Sequence, residues 1–342
     1  MIALFRRSPP PLSLALQGGG AHGAFTWGVL DALLEDGRLR IDGISGTSAG
    51  AMNAVALAQG WMAGGADGAR AALQSFWTAV AGSMPFEIAV PAADGRNMVL
   101  APGVRLMLQW SHYFSPEQLN PFDLNPLRGI LEAQIDFERL RSQGPVKLFI
   151  AATNANTGKL RLFRGPELTP DMVLASACLP TLHRGVVIDG ETYWDGGYAA
   201  NPAVFPLLEE CAARDILLVM LTPLKHKATP STAQDIRNRV LELAFSATFL
   251  REMRMFAHLR EHVRRSWPRL GAFERRLAGT RFHAIEATEV MSELSAESKL
   301  AANMQFFDML KRLGRERAQA WLRTHHGDVG RRGTIDLGAL FY

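Results

Sequence analysis

Cysteine is scarce in this sequence. Only Cys178 and Cys211 occur in 342 residues, and neither sits in a CxxC spacing. A disulfide framework is thereby excluded, both thiols read as small buried hydrophobes, and a reducing, cytoplasmic setting is expected. Long apolar runs are also missing, because Gly, Pro or charge interrupts each one well short of a membrane span. The opening residues, MIALFRRSPPP, lack the apolar stretch and small-residue cleavage site of a secretory signal. There is no basic stripe interleaved with aromatics and no zinc or RNA-binding motif, so nucleic acid is not an expected partner. Net charge is only +4, a mild bias compatible with peripheral contact to anionic membrane. No internal repeat or low-complexity tract is visible.

What is present is the balance of a globular protein, 48% hydrophobic and 20% charged residues. Leu12 to Leu16 reads as a buried strand running into Gly18-Gly19-Gly20, and Phe25, Val29, Leu30, Leu33 and Leu34 recur at helical spacing between Gly23 and Glu35. Arg40 to Ile44 is a second strand, followed by a helix over Ala51 to Ala58. This order opens a parallel sheet covered by helices. Residues 61 to 145 are richer in helix. Strand character returns at Val146 to Ala152 and Lys159 to Phe163 around the turn Thr157-Gly158. It returns again at Val186 to Ile188 and Thr192 to Trp194 around Asp189-Gly190, where Glu191 would lengthen the loop. Asp215 to Thr222 is a further buried strand. Beyond Pro230 the pattern turns helical, from about Ala233 to Arg265 and from about Glu297 to Thr324.

Three glycine-rich turns carry the chemistry. Gly46-Thr47-Ser48-Ala49-Gly50 fits GxSxG, a sharp strand-to-helix turn that exposes the serine while its flanking glycines let the chain close. The helix that follows aims free N–H groups at whatever the serine holds. Gly18-Gly19-Gly20 ends the adjacent strand and offers unhindered N–H groups for an oxyanion. Asp195-Gly196-Gly197 is a tight turn carrying a carboxylate. Two rivals compete. Gly18, Gly20 and Gly23 also satisfy the dinucleotide pattern GxGxxG, but Asp42 lies too early to hold a ribose. A Ser-His-Asp triad is permitted by chain order through His226, His258, His262, His283, His325 or His326. None of these directly follows a convincing strand, and Ser48 comes after only two strands. His183 is a candidate lining residue.

Taken together, Gly18-Gly19-Gly20-Ala21-His22-Gly23, the serine pentapeptide, Ser176-Ala177-Cys178-Leu179-Pro180 and Asp195-Gly196-Gly197 resemble the ordered signature blocks of the patatin-like phospholipases over residues 12–222. The resemblance implies a three-layer α/β/α fold with a mainly parallel central sheet. It also implies lipid acyl hydrolysis without metal or cofactor, with Ser48 as nucleophile, Asp195 as base and Gly18, Gly19 and Gly20 as the oxyanion loop. Gly46, Gly50, Gly196, Gly197 and His22 support the motifs. His22 stands where the family usually carries Arg or Lys, so any cation function there, in steadying the loop or attracting an anionic head group, is expected either to be lost or to become pH-dependent. Residues 1–11 read as a tail, 12–222 as the catalytic domain and 223–342 as a helical extension packed on the core. A transacylase on the same pair, or a non-catalytic lipid-binding scaffold, are the alternatives. In the segment Ala233 to Arg265, Leu241, Phe245, Phe249, Met253 and Phe256 form an apolar stripe among seven arginines. Packing of that stripe on the core is the first expectation, and contact with a lipid surface the second.

Overall fold

The computed structural model describes residues 9–83, 89–91, 97–104, 106, 114–226, 229–265 and 271–342. Most of the expected tail, and parts of the region 61–145, lie outside these. Strand β1 (Pro11–Leu16) leads through a glycine turn into helix α1 (Gly23–Asp36), and β2 (Arg40–Gly46) leads through the serine turn into helix α2 (Ala49–Gly82). The first strand explains the layering by itself: Leu12, Leu14 and Leu16 enter one hydrophobic core while Ala15 enters the other. Side chains alternate across a strand, so a strand apolar on both faces must be covered on both. One core receives α1, α2 and the helix Met304–His325. The other receives the short helix Phe205–Glu210, the later part of Ala233–Arg265 and the last helix, Leu337–Phe341. The result is an α/β/α sandwich, as expected.

The sheet continues with β5 (Lys147–Asn154), β6 (Leu160–Arg164), β7 (Val186–Ile188), β8 (Glu191–Asp195), β9 (Asp215–Val219) and β10 (Arg281–Ile285), in the order β10-β9-β1-β2-β5-β8-β7 with β6 beside β5. The hairpin of β3 (Ala89–Pro91) with β4 (Met98–Leu100) stands apart from it. From β10 to β5 all pairings are parallel, and β6, β8 and β7 are antiparallel.

Register decides what meets what. Ile150 pairs with Gly46 of β2 and with Phe163 of β6, and Ala152 pairs with Asp195 of β8 and with Arg161 of β6. Since β6 holds one edge of β5 throughout, β2 and β8 must share the other. β8 takes up that edge two residues beyond the point where β2 stops, which brings the turn after β2 beside the end of β8.

Several elements differ from the sequence expectations. The helix after the serine runs to Gly82 because an apolar face persists beyond Ala58, with non-helical backbone at Gly64 and Gly65. Asp189 and Gly190 both have positive φ and form a two-residue turn, and Glu191 pairs with Ile188 rather than lengthening the loop. The segment expected to be helical from Glu297 instead makes a short 3-10 turn over Ala296–Leu300. The true helix starts after Asn303, whose side chain caps the N–H of Phe306 at 3.0 Å. β10 was not expected, and through it the chain beyond residue 223 contributes a strand to the sheet. Among the described residues no helix is long and apolar enough to cross a membrane.

Candidate active site

Ser48 adopts φ 54° and ψ −122°, a positive φ that only two other described non-glycine residues share, Asp123 and Asp189. A side chain there is strained, and the surroundings must hold it. They do so through close backbone contacts. A Cβ on Gly46 would lie 2.6 Å from the carbonyl oxygen of Gly50, and one on Gly50 would strike the carbonyl of Leu16. The Ser48 N–H donates to Ser176 Oγ at 2.9 Å, and Thr47 Oγ1 donates to the Ala200 carbonyl at 2.8 Å. The elbow is thus pinned from both sides of β8 in sequence, by Ser176 before it and by Ala200 after it.

The tri-glycine turn lies directly against this elbow: a Cβ on Gly18 would stand 2.7 Å from both Ser48 Cβ and the Thr47 carbonyl oxygen. Its three N–H groups are not equivalent. Gly18 donates to Asn201 Oδ1 at 2.6 Å. Among the described residues no acceptor holds the N–H of Gly19 or of Gly20. Gln17 fixes the base of the turn, its side-chain oxygen accepting from the N–H groups of Leu221 (2.8 Å) and Thr222 (3.0 Å).

Asp195 is 2% exposed at the end of β8. Burial raises its pKa to about 7, against the lowering effect of the Gly197 N–H, which donates to it at 2.7 Å, and of the nearby Ser48 hydroxyl. The Asp195 N–H donates to Cys178 O at 2.8 Å, and its carbonyl accepts from Thr153 Oγ1 at 2.8 Å. Gly196 is required because a Cβ would strike the Ala151 carbonyl, and Gly197 because the ring of Phe245 rests on it. The arrangement offers a strained hydroxyl near a poorly solvated carboxyl, against a glycine turn with two bare N–H groups, which is equipment suited to acyl transfer.

Other expected residues fall elsewhere. His226 bonds Glu242 at 2.8 Å, His283 bonds Asp215 at 3.0 Å, His325 bonds Asp328 at 3.0 Å, and His258 lies against Tyr342. Burial lowers the pKa of His183. Cys178 and Cys211 are free and buried, and burial pushes their thiols up to about 12 and about 11. His22 removes the second of the two expectations for it, a pH-dependent cation. It is buried, its Nε2 lies 2.7 Å from Ser298 Oγ, and burial together with the charge of Lys299 lowers its pKa to about 3. It therefore stays neutral at any ordinary pH and cannot serve as a switchable cation. Asn201 and Ser176 are support residues that motif reasoning gave no role. The only readable signal for the first was an Asn-Pro turn shortly after the Asp-Gly-Gly turn.

Fold and site together define an α/β protein with a serine elbow on a mainly parallel sheet. The pattern of the patatin-like phospholipases matches residues 14–208, more than half of the chain, and the chain belongs to that family. Among solved structures it is similar to VipD from Legionella pneumophila, at 16% identity and a TM-score of 0.37, covering 91% of this chain and 67% of that one. No curated protein matches it.

Proposed function

We propose that the protein hydrolyses lipid acyl esters with Ser48 as nucleophile and Asp195 as its base. The observation that carries this reading is that the strained Ser48 lies near enough to the buried Asp195 carboxyl to act on its pKa, which burial pushes up to about 7. In its ionised form Asp195 accepts the hydroxyl proton as Oγ attacks the ester carbonyl. The N–H groups of Gly19 and Gly20 donate to the oxyanion, the alcohol leaves with the proton, and an acyl-Ser48 remains. Water gives a proton to Asp195 as it attacks the acyl group, and Ser48 Oγ leaves with that proton as the fatty acid is released. The catalytic unit in this reading is residues 12–222, with 223–342 as an extension joined to it.

A fluorophosphonate probe tests the assignment. It should label wild-type protein on the peptide carrying Ser48 and leave folded Ser48→Ala unlabelled. Hydrolysis of a p-nitrophenyl ester by folded Ser48→Ala at a rate near wild type would reject it.

A cytoplasmic enzyme in peripheral contact with anionic membrane fits the same reading. The helix Ala233–Arg265 divides: Phe249, Met253 and Phe256 are buried, whereas Val240 (59% exposed) and Leu241 (57%) face outward with Ile236, close to Arg237 and one turn before Phe245 on Gly197. Vesicles of phosphatidylcholine and phosphatidylglycerol at low salt should sediment the wild type and release a Val240→Asp, Leu241→Asp variant. Equal sedimentation of both would remove the membrane from the account.

A further inference from the structure

We infer that the turn Ser295–Lys299 is a clamp on the oxyanion loop, with His22 and Ser298 as positioning residues. This rests on the proposed role of the glycine N–H groups in catalysis. Asn201 and Gln17 hold the start of the loop, but Gly19 and Gly20 have little of their own to hold them in place. Gly20, at φ +57°, is exposed and carries no side chain, and Gly19 is only partly covered. An oxyanion site gains its effect from donors already fixed in position, so something outside the loop must fix them.

Two contacts do so, both to residues almost 280 positions away. Gly20 packs on the Lys299 carbonyl so closely that any Cβ would displace it. His22 closes the loop through its own N–H, which donates to the Gly19 carbonyl at 3.2 Å, and its ring then reaches Ser298 Oγ at 2.7 Å. The direction of that bond is determined. The single proton of Ser298 Oγ goes to the Ser295 carbonyl at 2.7 Å, so Oγ accepts and the ring nitrogen Nε2 carries the hydrogen. His22 is thus the Nε2–H tautomer and acts as a neutral donor.

The turn is in turn anchored away from the loop. Ser295 Oγ accepts from the Ser298 N–H at 3.1 Å and donates to the Met98 carbonyl at 2.8 Å, while the Ser295 N–H donates to Asn97 Oδ1 at 3.0 Å. The ring of Phe306, at the start of the helix Met304–His325, meets the His22 ring edge-on at 6.2 Å. His22 is therefore held between a hydrogen bond and an aromatic contact, both supplied by the chain beyond residue 223. Position 22 serves as a link between that chain and the loop, a task for which a neutral N–H suffices.

Full-length Ser298→Ala, His22→Ala and His22→Gln test the clamp by p-nitrophenyl ester kinetics and by amide hydrogen exchange followed on peptides. Ser298→Ala and His22→Ala should lower kcat about tenfold or more with KM within twofold of wild type. Exchange should quicken in residues 17–23 and stay unchanged in β9. Gln places an N–H near the Nε2 position without the possibility of charge, so His22→Gln should recover most of kcat. Unchanged exchange in residues 17–23, or faster exchange there with kcat unaffected, would overturn the inference. So would exchange that quickens equally in the loop and β9, which marks general loosening, and so would His22→Gln failing as His22→Ala does. A wild type inert towards the ester and the fluorophosphonate would instead remove the acyl-hydrolase reading, and the exchange data would still decide whether the turn holds the loop.

Discussion

Two aspartates on one sheet have opposite fates. Asp195 ends β8 and Asp215 begins β9; each is 2% exposed. Burial raises the pKa of both, yet Asp195 stands at about 7 and Asp215 at about 2. The difference lies in the partners. Asp215 receives His283 at 3.0 Å, Arg281 through two bonds of 2.9 and 2.7 Å, and the Gly330 N–H at 3.1 Å. Asp195 receives one backbone N–H, from Gly197 at 2.7 Å, and the only other group that lowers its pKa is the Ser48 hydroxyl, with no cation among the influences. The first carboxylate is neutralised and ties β9, β10 and the C-terminal chain together. The second is left short of partners, which makes it a base able to take a proton near neutral pH.

The sharpest way to break this contrast is to remove each carboxylate in turn. Asp195→Asn should lose a thousandfold or more in kcat/KM on a p-nitrophenyl ester while remaining folded by circular dichroism. Asp215→Ala should do the reverse. Stranding the buried His283 and the half-buried Arg281 should cost about 3–5 kcal/mol in urea unfolding, with kcat per folded molecule unchanged. If Asp215→Ala kills activity without destabilising the protein, the roles assigned to the two groups are wrong.

Acidity sharpens the comparison because the two shifts have opposite sign. The native state holds the Asp195 proton more tightly than the unfolded chain does, so its contribution is complete below about pH 4 and is lost as pH rises to about 7. The depressed pKa of Asp215 gives a contribution that is complete above about pH 4 and lost as pH falls to about 2. Unfolding free energies measured at pH 4 to 8 should therefore fall on the order of 2–4 kcal/mol more in the wild type than in Asp195→Asn. Over the same range, kcat/KM of the wild type should rise about tenfold per pH unit and level off near pH 7. Identical stability profiles for the two proteins would mean that Asp195 is not a proton-holding group in the folded state.

How much of this the sequence carried depended on distance along the chain. The serine elbow is local: Gly46, Ser48 and Gly50 fall within five residues, and the steric reasons for both glycines act within the turn and its neighbouring strand. The sheet opening β1, α1, β2, α2 was legible for the same reason, since strand alternation and helical spacing are short-range patterns. What escaped was set by contacts between distant segments. Arg281–Ile285 is only five residues long and surrounded by helix, so it becomes recognisable as a strand through β9. The neutrality of His22 depends on burial beneath a turn some 275 residues later, and no motif reports burial.

Asn201 shows the same limit within the site and gives the smallest of the expected effects. Its Oδ1 takes the Gly18 N–H at 2.6 Å across 183 residues, so it sets the start of the glycine loop without facing the oxyanion. Asn201→Ala should free that N–H and lower kcat about tenfold with KM little changed, since a donor loop that can wander loses part of its preorganisation. Asn201→Asp keeps an acceptor in place but brings a negative charge close to where the oxyanion forms. If the loop stabilises developing negative charge, Asp must be the more harmful of the two above neutral pH, even though it preserves the hydrogen bond better. Equal losses in both variants would show that Asn201 matters only for folding and that charge at the glycine loop is not what the reaction feels.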